Sequence, residues 1–231
     1  KKIVTSGKIG KVNLVNVEYP QGYTAGIKKK DEKKILKWRL DKKISGPSMI
    51  LSEIGTHAYH LLRYVTELEV KELAAEVNNL SKELTVDDNA FVLLRLNNNA
   101  RGAIWVSSAA TGGENGLKIR VYGTKGAVEW FQDDPNNLKF TELDKPTKII
   151  TRASKGVSNF SLTSSRLAAG HPEGFFEAFA NIYTEFADII NMQSKKNIVP
   201  SYPTIDDGVK GIKFIFAAKK SSKLNSKWIK I

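Results

Sequence analysis

Between Pro47 and Thr66 the apolar residues recur at helical rather than alternating spacing. Ile50, Leu51, Ile54, Ala58, Leu61, Leu62 and Val65 form one stripe, which predicts an amphipathic helix over Pro47–Thr66 with that stripe buried. Beside the stripe, Glu53, His57, His60 and Tyr64 fall within an arc of about 60°. Gly55 sits in the helix interior, where it costs about 1 kcal/mol relative to alanine. Its presence predicts a close approach to the backbone, for which a helix crossing is one source.

Elsewhere the pattern alternates with a period of two, which predicts strands. Lys11 to Glu18 is the first, ended by Pro20. Val70 to Val77, Ala90 to Leu96 and Ala100 to Ser107 follow, the last two joined by Asn97-Asn98-Asn99, a run that tolerates the positive φ of a hairpin turn. Leu117 to Tyr122 passes through Gly123-Thr124-Lys125-Gly126 into Ala127 to Phe131, and Asp134-Pro135-Asn136-Asn137 turns the chain into Leu138 to Thr141. Thr151 to Gly170, rich in Ser, Gly and Ala, predicts a long loop.

Two helices are expected near the end, Pro172 to Met192 and Ile205 to Ser221. Pro172 and Glu173 suit a helix start, with Phe175, Phe176, Phe179, Ile182, Phe186 and Ile189 as the buried face. Thr204 is the expected N-cap of the second, with Asp206 and Asp207 in its first turn. Hairpin-linked strands with one helix before and two after predict an α+β fold, a mostly antiparallel open sheet with helices packed on one face. No strand leads through Gly-x-Gly-x-x-Gly into a helix, so a Rossmann domain is not expected in this chain.

At 231 residues, 41% apolar with four tryptophans, the chain is large enough to bury a sizeable core. It has no cysteine, which excludes disulfides and thiolate metal sites, is compatible with the cytosol, and leaves no metal site expected. The formal net charge of +12 comes from lysines mixed with acids along the chain, dense only from Lys28 to Lys37, and no nucleic-acid-binding motif accompanies it. A solvated surface is the preferred reading, with no nucleic-acid partner expected. No run of 18 uninterrupted apolar residues occurs and KKIVTSGKIGKV lacks a signal-peptide core, so a cytoplasmic protein without a membrane partner is expected.

The candidate chemistry lies on the first helix. A carboxylate four residues before an imidazole, as Glu53 is to His57, is placed to hydrogen-bond it and fix its tautomer, as a general base near neutral pH requires. A structural edge histidine satisfies the same spacing. Trp38, Arg39 and Asp41 bring an indole face, a guanidinium fork and a carboxylate suited to a polyhydroxylated ring, although Trp38 is equally read as core packing. His60 shares the helix side with His57. His171 stands at a helix start, where a turn or capping role fits as well as a site role. Trp130 and Gln132 lie at a hairpin within reach of a substrate or a neighbouring subunit.

Over nearly all its length the sequence resembles the C-terminal, substrate-side domain of the Gfo/Idh/MocA oxidoreductases. The resemblance rests on SGKIGKVNLVNVEYPQG, WRLDKKISG, EIGTHAYHLLRYVT, ENGLKIRVYGTKGAVEWFQDDPN, GHPEGFFEAFANIY and PTIDDGVKGIKFI. The WFQ-x-DPN and GHPEG blocks are similar to the branch containing levoglucosan-dehydrogenase-type enzymes. The resemblance implies one domain over residues 1–231 of the kind seen in the C-terminal half of glyceraldehyde-3-phosphate dehydrogenase. It also implies a separate N-terminal dinucleotide-binding domain that would hold NAD or NADP, so that no cofactor is expected on this chain alone.

By the same resemblance the parent enzyme oxidises a sugar or cyclitol hydroxyl, with His57 taking the hydroxyl proton and Glu53 orienting His57 or binding a neighbouring hydroxyl. The family usually has aspartate at position 53, and often glycine at the positions of Glu67 and Asn99. A homo-oligomer through the open sheet face is implied, its expected trace an outward row around Trp105 with Ala103 and Ser107. Without its partner domain the chain is expected to be inactive. The alternative is a free-standing, non-catalytic binding or scaffold protein of the same fold.

Overall fold

The computed structural model describes residues 1–28, 38–191 and 200–231. All of the lysine-dense segment except Lys28, and Met192 at the end of the second expected helix, lie outside the described residues. The elements are α1 (Lys2–Thr5), β1 (Val12–Pro20), a π-helical turn (Leu51–Gly55) running into α2 (Thr56–Thr66), β2 (Val70–Asn78), β3 (Asn89–Leu96), β4 (Arg101–Ser107), β5 (Lys118–Gly123), β6 (Gly126–Phe131), β7 (Asn137–Glu142), β8 (Lys148–Thr151), α3 (Asn159–Thr163), α4 (Phe175–Asn191), α5 (Ile205–Lys223) and β9 (Ile229–Lys230).

The strands form one sheet in the order β8-β7-β6-β5-β1-β4-β3-β2-β9. β1 runs parallel to β4 and antiparallel to β5, and the remaining pairings are antiparallel. Alternation decides which face is covered. Val15 and Val17 of β1, Val92 and Leu94 of β3, Ile104 and Val106 of β4, and Ile119 and Val121 of β5 are buried in one core with Ile54, Ala58 and Leu62 of the site helix and Phe214, Ile215 and Ala218 of α5. Tyr59 of α2 stacks on Phe214 at 4.4 Å between ring centroids.

The opposite face is open. Leu14, Phe91, Leu93 and Tyr122 are exposed there, and Phe91 stacks on Trp105 at 6.0 Å. Of the row expected around Trp105, Ser107 is instead buried, its hydroxyl donating to the Asp88 carbonyl. The β2 edge beyond the short β9 is closed by side chains: the Ser221 hydroxyl accepts from the Ala75 N–H at 2.8 Å and the Ser222 hydroxyl from the Val77 N–H at 3.0 Å. This removes an exposed edge that would otherwise pair with other chains.

Three departures from the sequence pattern matter. The helix predicted over Pro47–Thr66 begins at Met49, and from Leu51 to Gly55 it is π-helical, the Thr56 N–H bonding the Leu51 carbonyl five residues back. The close approach at Gly55 comes from within that turn: a Cβ there would lie 2.9 Å from Leu51 Cδ2, with no helix crossing required. The stretch expected as a long loop contains α3.

Turn residues behave as their positions demand. Asn99 takes φ of 69° in the β3–β4 hairpin, and Glu67 takes φ of 56° as the left-handed residue ending α2, its N–H bonding the Arg63 carbonyl at 2.8 Å. Among the described residues no helix is long and apolar enough to cross a membrane.

Candidate functional site

The site is built on the π-helical turn and the start of α2. Its entry is fixed by Asp87, whose Oδ1 accepts from the Ser48 hydroxyl at 2.6 Å and the Ile50 N–H at 3.1 Å, while its Oδ2 accepts from Lys219 of α5 at 2.8 Å. Ser48 Oγ in turn accepts from the Leu51 N–H at 3.3 Å, as a helix cap does. A π turn takes more residues to close than an α turn, and such turns recur at functional sites. Here the turn carries Glu53, and His57 follows in the first turn of α2.

The predicted Glu53–His57 hydrogen bond is not formed. Glu53 Oε1 pairs with Arg39 Nη1 at 2.7 Å, and Oε2 accepts a short hydrogen bond from the Tyr23 hydroxyl. The Tyr23 hydroxyl also lies 3.5 Å from Met49 Sδ. Burial, then the bond to Glu53, pushes the Tyr23 pKa well above the ordinary phenol value, so Tyr23 remains a donor. His57 is exposed, with the Tyr19 ring edge-on to it at 6.2 Å.

Around Tyr19 stands a cluster of amides. The Gln132 and Gln21 side chains stand by the Tyr19 hydroxyl, and burial outweighs their influence and raises its pKa. Gln21 Nε2 donates to Asn115 Oδ1 at 2.6 Å, and Gln132 Nε2 donates to the Asn115 carbonyl at 3.1 Å. Exposed imidazole, anchored carboxylate, phenols and carboxamides together offer donors and acceptors for a ligand rich in hydroxyl groups.

Of the strap expected to contribute, Leu40 is buried with Met49, Leu84 and Val86, which anchors residues 38–41 beside the helix start. Arg39 is brought to Glu53, and its guanidinium lies over the Trp38 ring at 5.2 Å. Trp38 is 57% exposed, which rules out the core-packing reading. Asp41 is turned to its own loop, where Oδ1 accepts from the Lys43 N–H at 2.8 Å.

His60 and Tyr64 are not part of this group. They stack at 6.0 Å and line a separate cavity of about 700 Å³ with Lys1, Arg63, Tyr202 and Asp207. Burial lowers the His60 pKa. His171 lines a third pocket with Asn136 and Arg152, and its carbonyl accepts from Arg152 Nη2 at 2.5 Å. Trp130 donates to the Pro135 carbonyl at 3.1 Å, closing its turn. No group of three or more potential metal ligands occurs among the described residues.

Tyr19, Gln21, Tyr23 and Asn115 were not singled out from sequence. The available signal was the pair of tyrosines flanking Pro20-Gln21-Gly22 where the first strand ends, since binding residues concentrate in loops at strand ends.

A family model described as "Oxidoreductase family, C-terminal alpha/beta domain" matches residues 1–231. The uncharacterized oxidoreductase YfiI of Bacillus subtilis is 31% identical over 237 residues, covering 99% of this chain and 60% of that protein. An oxidoreductase from Sinorhizobium meliloti superposes with a TM-score of 0.83 at 40% identity over 99% of this chain and 59% of its own. An inositol dehydrogenase homolog from Azotobacter vinelandii, solved with NAD+, superposes with a TM-score of 0.86 at 28% identity over 99% of this chain and 60% of its own, and the same homolog has been solved with NADH and myo-inositol. Levoglucosan dehydrogenase complexes share the fold at TM-scores of 0.83 to 0.84. The chain thus spans about 60% of the length of these relatives.

Proposed function

The chain belongs to the Gfo/Idh/MocA oxidoreductase family as its C-terminal alpha/beta domain, and from that membership we propose that it forms the substrate side of an NAD- or NADP-dependent dehydrogenase acting on a sugar or cyclitol hydroxyl. The observation that carries this reading is an exposed His57 beside Tyr19, on the same helix as a Glu53 fixed by Tyr23 and Arg39, and bordered by carboxamides. His57 takes the proton of the substrate hydroxyl as hydride leaves the same carbon. Glu53 accepts from a neighbouring hydroxyl and so fixes which carbon reacts. A bound nicotinamide supplies the hydride acceptor.

The described residues contain no glycine-rich turn from strand to helix that would cradle a dinucleotide, so the cofactor is assigned to a separate dinucleotide-binding domain, and this chain alone is inactive. The exposed apolar stripes of α4 (Phe175, Phe176, Phe179, Ile182, Phe186) and of the outer side of α5 (Ile205, Val209, Ile212, Phe216) support that domain as their cover. Trp38, exposed beside Arg39, serves as a platform for the substrate ring. The open sheet face, with Leu14, Phe91, Leu93 and Tyr122 exposed, supports a second copy of the protein as its partner.

The test is an assay of the full-length protein with NAD and NADP against myo-inositol, levoglucosan and common hexoses, with sedimentation of the same sample. A polyol-dependent reduction of cofactor is expected, lowered roughly 10²- to 10⁴-fold by His57→Ala, in a species larger than one copy. Activity that survives His57→Ala, or no activity on any polyol, overturns the reading and leaves a binding protein of the same fold.

A further inference from the structure

We propose that Tyr23 is a positioning residue for the reaction, one that with Arg39 turns the Glu53 carboxylate away from His57 and holds it as the acceptor for a substrate hydroxyl. This rests on the dehydrogenase reading and assigns a role within that site. Two contacts fix Glu53 from opposite oxygens: Arg39 on Oε1 and Tyr23 on Oε2.

Each carboxylate oxygen has two acceptor sites, so two contacts leave capacity for a ligand. The Glu53 side chain keeps 17% exposure through which a ligand reaches it. Arg39 reaches Glu53 through Nη1 and lies over the Trp38 ring. The Tyr23 hydroxyl faces Glu53, Met49, Ser108 and Arg39, and its proton has one strong acceptor among them, the carboxylate. A carboxylate held by a bidentate anchor of this kind presents its free lone pairs in one direction, the alignment that discriminates one hydroxyl of a ring from its neighbour.

The experiment is a double-mutant cycle of Tyr23→Phe and Glu53→Gln in the full-length protein, read as kcat/KM per folded molecule. A second readout follows the carboxyl carbon resonance of Glu53 in 13C-glutamate-labelled protein with and without Tyr23→Phe. Removing a hydrogen bond to a charged group is expected to lower kcat/KM on the order of tenfold to a hundredfold. The loss should appear mainly in KM for the polyol and shrink to less than about twofold in the Glu53→Gln background, as coupled residues require. The Glu53 resonance should move.

Unchanged kinetics in Tyr23→Phe, or equal losses in both backgrounds, overturn the positioning role while leaving the dehydrogenase reading intact. A wild type inactive on every polyol overturns the dehydrogenase reading instead. In that case a shifted Glu53 resonance still supports Tyr23 as its anchor, and an unmoved one overturns it.

Discussion

Helices α5 and α4 lie side by side in sequence and have opposite fates. α5 buries Phe214, Ile215 and Ala218 against α2 and the sheet. α4 carries the stronger apolar stripe yet is held through its polar side: Arg166 donates to Asn181 at 2.8 Å and to Thr184 at 2.7 Å, and Ser201 donates to Glu185. Its stripe points outward, with Phe175 72% and Phe176 85% exposed. An amphipathic pattern therefore states that a face seeks cover, and does not state where that cover comes from.

The first way to break this comparison is to truncate the buried member. Phe214→Ala removes a ring stacked on Tyr59 and is expected to lower the unfolding free energy of the chain by about 3–5 kcal/mol in denaturant titration. A loss below about 1 kcal/mol would mean that α5 is no better anchored than α4.

The second concerns the seam between α2 and α5, which is ionic at its end. Arg63, nearly buried, donates to Glu69 at 2.8 and 3.0 Å and to Asp207 at 3.0 Å, and Lys210 reaches Glu69 at 2.7 Å. The Arg63 hydrogen bonds bring the Glu69 pKa from 4.5 to about 2. The Thr204 N–H first, then Arg63, brings that of Asp207 from 3.8 to about 2. Both native values lie below the unfolded ones, so the stabilisation is complete above the unfolded pKa values and is lost as pH falls toward the native ones. Denaturant midpoints should fall between pH 4.5 and about 2, and less steeply in Arg63→Met. An unaltered slope in that variant would remove the seam from the account.

This contrast also explains what was legible in the sequence. The sheet, its hairpins and α5 were readable because their periods are set by partners inside the chain: Val15, Val17, Val92 and Leu94 alternate since one face of the same sheet is covered. The buried face assigned to Phe175, Phe176, Phe179, Ile182, Phe186 and Ile189 was not met, since the described residues supply no cover for it. At the site, spacing pointed to a Glu53–His57 hydrogen bond, and the structure pairs Glu53 with Arg39 and Tyr23 instead. The turn at Leu51–Gly55 is π-helical, which α-helical spacing does not register. Tyr23 was missed because its link to Glu53 spans 30 residues.

The smallest expected effect is on α4 itself. Phe176 is 85% exposed, and phenylalanine and serine have similar helix propensity. Phe176→Ser in this chain should therefore change the unfolding free energy by no more than about 0.5 kcal/mol. In the full-length protein the outcome should differ: if a dinucleotide-binding domain covers the stripe, the same substitution removes buried aromatic surface and costs about 3 kcal/mol or more. Equal effects in both proteins would show that α4 stays uncovered, and the two-domain reading would lose the support that the stripe gives it.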